Sequence, residues 1–89
     1  MNSRVTEDFM LCYAHLPANV REQARRAYRL WRSNPSHPGI QFKRIHSTEL
    51  IFSARVGLGW RALGILEGDT VTWFWIGSHA EYDTIVSRF

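Results

Sequence analysis

The hydrophobic period of this 89-residue chain first changes across Ser33-Asn34-Pro35-Ser36-His37-Pro38-Gly39. Before that stretch apolar residues recur every three to four positions, and after it they alternate. Neither a helix nor a strand continues through Pro35, Pro38 and Gly39, so helices must come first and strands second. Upstream, Thr6 followed by Glu7 and Asp8 reads as an N-cap with first-turn acids. Phe9, Cys12, Tyr13 and Leu16 then hold helical spacing until Pro17, which predicts a helix over about residues 7–15. From Ala18 to Asn34, Val20, Ala24, Ala27, Tyr28 and Trp31 form an apolar stripe and Arg21, Arg25, Arg29 and Arg32 a basic one. The two helices are expected to form a hairpin turning at Pro17.

Downstream, residues 40–46, 50–56, 60–66 and 70–76 read as strands. The breaks between them, Ser47-Thr48-Glu49, Gly57-Leu58-Gly59 and Gly68-Asp69, are short enough for antiparallel hairpins. Helical spacing returns over residues 79–89, where Ser78 and Glu81 have the form of a capping box. The expectation is one α+β domain spanning residues 1–89: an N-terminal helical hairpin packed on a four-stranded antiparallel sheet, followed by a C-terminal helix, with the helices on one sheet face.

A two-residue turn at Gly68-Asp69 would pair Leu66 with Val71, Gly64 with Trp73 and Ala62 with Trp75, setting large rings opposite the smallest residues. A three-residue loop at 57–59 would pair Val56 with Trp60, Ala54 with Ala62 and Phe52 with Gly64. One face is then wholly apolar and carries Trp73 and Trp75. The other carries Ser53, Arg55 and Arg61 together with an open row of Ile51, Leu63, Ile65, Phe74 and Ile76, a patch that asks for a partner or a second copy as cover. In this register Arg55 lies directly across from Arg61. Opposed like charges destabilise a sheet, so an anion is expected between them: a carboxylate of the same chain such as Asp83, a partner, or a phosphate. If Phe42 enters the core, Lys43 points to the same face.

Charge supports an anionic partner. The net charge is +3, the pI is about 9.6, and all basic residues except Lys43 are arginine, the side chain whose flat fork fits phosphate or carboxylate. Cys12 is the only cysteine, so an internal disulfide is excluded and a reducing, cytoplasmic setting is expected. No apolar run approaches the length of a membrane span. His15, His37 and His46 are widely spaced, and neither a metal site nor a cofactor is expected.

Three segments, residues 34–46 (NPSHPGIQFKRIH), 55–62 (RVGLGWRA) and 76–83 (IGSHAEYD), together resemble the RelE/ParE superfamily of toxins from bacterial toxin-antitoxin modules. The likeness runs from about Phe9 to Asp83, and Gly77 to Asp83 is especially similar to the HigB-like branch. It differs in leaving only Met1 to Val5 for the strand that usually opens the family fold, and in having one lysine. The resemblance implies a toxin held inactive by a cognate antitoxin and acting mainly as a metal-independent mRNA endoribonuclease, an mRNA interferase that inhibits translation, often at the ribosome. The alternatives are a ParE-like inhibitor of DNA gyrase and a catalytically silent member that only binds its antitoxin.

Metal-free RNA cleavage needs a base for the 2′-hydroxyl, cations for the charge growing on the phosphate, and an acid for the leaving 5′-oxygen. The candidates are His79 as base, Arg55 and Arg61 as phosphate holders, and Tyr82 beside them, with Lys43 as a further RNA contact. Arg25 and Arg29, from the basic helix stripe, are candidate contacts to an RNA backbone or to an acidic antitoxin segment.

Overall fold

The computed structural model describes residues 1–89. Its elements are β1 (Asn2–Val5), α1 (Glu7–Ala14), α2 (Ala18–Ser33), β2 (Lys43–Arg44), β3 (Ile51–Gly57), β4 (Trp60–Glu67), β5 (Thr70–Ser78) and α3 (His79–Val86). The helix starts follow the local chemistry. Thr6 Oγ1 accepts the Phe9 N–H at 3.0 Å at the head of α1. Pro17 occupies the N-cap of α2, and the Arg21 guanidinium donates to the Leu16 carbonyl at 2.6 Å, satisfying an acceptor where the chain turns between the helices.

The sheet has five strands in the order β1-β5-β4-β3-β2, and β1 runs parallel to β5. Both features correct the expected four-stranded antiparallel sheet. Asn2, Ser3, Arg4 and Val5 are too few and too polar to show alternation. What makes them a strand is the free edge of β5, which pairs Asn2 with Thr70 and Val5 with Trp73. At the far edge the expected strand 40–46 shrinks to Lys43–Arg44. Gln41 has φ 48°, in the left-handed region, so the extended run cannot begin at Ile40. Ile40 still lies along β3, its carbonyl accepting the Arg55 N–H at 2.7 Å.

Around the Gly68-Asp69 turn the register is as expected, with Leu66 opposite Val71 and Gly64 opposite Trp73. Phe42, Trp31 and Trp73 pack edge to face or tilted over this region, Trp31 and Trp73 with centroids 5.3 Å apart. A side chain at Gly64 would start 2.6 Å from Val71 Cγ1 and 2.9 Å from Trp73 Cε3, so the glycine is the space those two residues fill. Leu16, Val20, Trp31, Ile40, Ala54 and Val56 complete this core with Ala62, Val71, Trp73 and Ile76.

Beyond Gly64 the strands slip by one residue: Leu63 pairs with Trp75 and Ala62 with Ile76, leaving Phe74 as a β-bulge. The expected Ala62–Trp75 pair is therefore wrong, and the bulge exchanges the faces of the residues after it. Ile76 enters the core, 3% exposed, and Trp75 turns to the other face, where its ring covers the position a Gly77 side chain would take. That second face is not open either. Leu63 is fully buried without belonging to the aromatic core, Ser53 is 2% exposed, and α3 lies against β4 and β5. The helices are thus divided, α1 and α2 on one face and α3 on the other. Of the anticipated apolar row, only Ile65 is exposed; Ile51 and Phe74 are half-buried and Leu63 and Ile76 buried. No helix is long and apolar enough to cross a membrane.

Candidate functional site

The bulge and the β3–β4 hairpin together build one corner of the second face. Arg55 pairs with Arg61 as expected, but the loop is tighter: Gly57 pairs with Trp60, and Val56 is bulged out of register. The tip is Leu58-Gly59. Arg61 turns one guanidinium nitrogen back onto this tip, donating to the carbonyls of Gly57 at 3.1 Å and Trp60 at 2.8 Å. Those contacts fix its base and leave the rest of a five-donor fork for something else.

The slip along β5 sets Gly77 opposite Arg61 and Ser78 opposite Trp60, so α3 begins beside the hairpin tip. The start of the helix is closed by a complete capping box. Glu81 Oε1 accepts the Ser78 N–H at 3.2 Å, and Ser78 Oγ accepts the Glu81 N–H at 3.2 Å. Glu81 is occupied by that role. His79 follows, and its backbone N–H donates to the Gly59 carbonyl at 2.8 Å, tying helix to hairpin.

The His79 ring has a defined orientation. Nδ1 lies 3.0 Å from Asp83 Oδ2, the only contact within 4.0 Å between a basic and an acidic side chain in the protein. An ionised carboxylate can only accept, so Nδ1 carries the hydrogen and, in the neutral ring, Nε2 keeps its lone pair. The side chain is 45% exposed, and the Tyr82 ring meets it edge-on at a centroid distance of 5.7 Å. A carboxylate-oriented imidazole with one free, solvent-reachable nitrogen has the form of a general base.

Asp83 is thereby taken by His79 and does not bridge the arginines. No carboxylate lies within 4.0 Å of Arg55 or Arg61, so two arginines at directly opposed strand positions have no internal counter-ion. Lys43 is exposed and pairs with Ser53, two residues along β3 from Arg55, which sets it on the same face as anticipated. The other two candidates lie elsewhere. Arg25 Nη1 donates to the Tyr13 hydroxyl at 2.7 Å on the α1–α2 side, and Arg29 is exposed on α2. The fold therefore brings Arg55, Arg61, His79 and Tyr82 toward one hairpin tip, with Lys43 on the same face, and leaves Arg25 and Arg29 on the helical hairpin, where Arg25 shares the lining of a cleft with Arg55.

One feature had no signal in the sequence. A cleft of about 440 Å³ opens between β1, the helical hairpin and the sheet, walled by Phe9, Met10, Tyr13, Tyr28 and Trp31, with Arg4, Arg25 and Arg55 and no acidic residue in its lining. Tyr28 and Ser3 span it with a hydroxyl–hydroxyl bond of 2.6 Å. It exists only because β1 pairs with β5, the pairing that alternation does not reveal.

This architecture, a five-stranded mixed sheet with a helical hairpin on one face and a last helix on the other, is shared with solved toxin structures. A chain of the RelB–RelE antitoxin–toxin complex of Methanococcus jannaschii superposes with a TM-score of 0.73 at 18% identity, over 91% of this chain and 96% of that one. YafQ of E. coli gives 0.70 at 15% identity, over 91% and 96%. The YoeB/ParE toxin of Agrobacterium tumefaciens gives 0.69 at 14%, over 89% and 99%. No curated protein matches the sequence. The model of the ParE-like toxin domain matches residues 18–84, and the chain belongs to that family, within the RelE/ParE superfamily of toxins from toxin-antitoxin systems.

Proposed function

We propose that this protein is an mRNA endoribonuclease toxin whose active site is the corner formed by Arg55, Arg61, His79 and Tyr82. The observation that carries the reading is the uncompensated Arg55–Arg61 pair at the same hairpin to which His79 is hydrogen-bonded through its backbone. Two arginines at opposed strand positions without a carboxylate are stabilised by an anion, and a phosphodiester supplies one. In this reading Nε2 of His79 takes the proton of the ribose 2′-hydroxyl, and Asp83 stabilises the imidazolium that results. The 2′-oxygen attacks phosphorus, the bond to the 5′-oxygen breaks, and a 2′,3′-cyclic phosphate is left. Arg55 and Arg61 hold the non-bridging oxygens, where negative charge grows. Tyr82 or Lys43 supplies the proton that the departing 5′-oxygen needs, and each is an O–H or N–H donor at this face.

The partner in this reading is a cognate antitoxin. Several solved relatives are toxin–antitoxin complexes, among them the M. jannaschii and E. coli ones. The apolar cleft with basic rim residues suits an amphipathic acidic segment, and Arg25 and Arg29, on the same helical layer, would meet its carboxylates or an RNA backbone. A second reading, inhibition of DNA gyrase, is favoured by the ParE-like description of the matching family model and by the presence of a single lysine. Induction of the protein in cells separates the two. Growth arrest with cleaved mRNA and normal plasmid supercoiling supports the ribonuclease; arrest with intact mRNA and altered supercoiling replaces it with the gyrase inhibitor.

A further inference from the structure

Leu58 is 86% exposed, the highest value among the large apolar residues of the protein. It occupies a hairpin tip, a position where Gly, Asn, Asp and Ser are favoured because they supply turn geometry or local hydrogen bonds. Leucine supplies neither, and here it buries almost nothing, so the fold gives no reason for it. Its surroundings do. The carbonyl of Gly57 on one side accepts from the Arg61 guanidinium, and the carbonyl of Gly59 on the other accepts the His79 N–H. The tip is therefore immobilised from both sides by the two residues that would grip and deprotonate a ribonucleotide, and it holds one aliphatic side chain out beside them.

We propose that Leu58 is a specificity-determining residue that packs against the face of an unstacked nucleobase next to the scissile phosphate. The inference rests on the ribonuclease reading of this corner. Single-stranded RNA is recognised through splayed bases whose flat apolar faces need a side chain to lie on, while cations fix the backbone. Arg55 and Arg61 are suited to the backbone. Leu58 is the only large apolar side chain of the hairpin tip, and leucine is among the apolar side chains that insert between neighbouring bases and partly unstack them in duplex DNA. A leucine has no hydrogen-bonding group, so it would select by the size and stacking energy of the base.

The test is a cell-free translation reaction programmed with one defined mRNA, with cut positions mapped by primer extension for the wild type, Leu58→Asn and Leu58→Met. Asparagine suits a turn, so the variant should melt with the wild type. It is expected to cut about tenfold more slowly at the preferred sites and to lose the base preference beside the cut. Leu58→Met, which keeps an apolar surface, should keep both rate and pattern. If Leu58→Asn cuts at the same positions and rate as the wild type, the inference is overturned and the ribonuclease reading stands. If Leu58→Asn cuts normally here yet no longer arrests growth when induced in cells, Leu58 contacts a protein partner and the inference again falls. If the wild type leaves the mRNA whole here while arresting growth on induction in cells, the ribonuclease reading fails and takes this proposal with it.

Discussion

The sheet separates two regions with opposite physics. Under α1 and α2, Trp31, Phe42 and Trp73 interlock, Gly64 is the gap that the neighbouring rings and methyls fill, and Val71 is completely buried. Under α3, by contrast, the outer end of the sheet holds two opposed arginines, a lysine one strand away and a half-exposed histidine. The first region is closed by apolar packing, with the Trp31 and Trp73 indole N–H groups buried there without a hydrogen-bond partner. The second carries positive charge that nothing within the chain neutralises, and folding alone does not explain it. A thin barrier one strand thick allows both, because successive residues of a strand point to opposite sides: Ala62 serves the core while Arg61 serves the corner. Substitutions in the two regions should consequently fail in different assays.

The largest effect is expected at His79. His79→Gln keeps a polar side chain of similar reach but removes the base, and mRNA cleavage by the purified toxin should fall by about 10²-fold or more with the melting temperature unchanged. A variant that cuts as well as the wild type removes His79 from the reaction. Arg61→Ala should come next, with cleavage reduced by about 10²-fold. Its loss of two hydrogen bonds to the tip is offset by relief of the Arg55–Arg61 repulsion, so thermal unfolding should shift by only a few degrees. A large drop in stability would mean that Arg61 is a structural clamp, and the division between the faces would fail there.

The core region should show the converse. Gly64→Val places branched carbons where Val71 and Trp73 already sit and should cost about 1 to 3 kcal/mol, read as an earlier midpoint in urea. An unchanged midpoint would contradict the packing of Trp73 over Gly64. The smallest effect is expected for Ser3→Ala, which removes the exposed bond between β1 and α2. It should cost about 0.5 to 1 kcal/mol while raising hydrogen exchange of the Asn2 and Thr6 amides, whose acceptors are Asp69 and Trp73. Uniform exchange in the two proteins would show that β1 is held by its pairing with β5 alone.

The helix starts at Thr6 and Ser78, the pairing of Gly64 with Trp73 and the opposition of Arg55 and Arg61 were all readable from residue order. Each depends on groups no more than about a dozen positions apart, so local spacing carries the information. The nearness of Arg55, Arg61 and His79 was readable too, since two tight turns bring their segments side by side. Their status was not. By spacing alone Asp83 is an equally good counter-ion for the arginines, and the fold gives it to His79. The tip geometry that exposes Leu58 likewise depends on the bulge at Val56, which alternation does not announce.

Sequence by itself determined the succession of helices and strands, the two hairpin turns and the kind of chemistry available, because periodicity, capping and side-chain type are properties of neighbours along the chain. Tertiary structure decided the fifth strand, the bulge at Phe74 and the placement of α3 over the second face. Asn2–Val5 has no strand pattern of its own and is ordered by the free edge of β5, whose paired residues lie 68 positions further along the chain. The slip at Phe74 trades one ladder position for burial of Ile76 in the core and of the Trp75 ring over Gly77. Both outcomes are set by energies summed over residues distant in sequence, which no local pattern records.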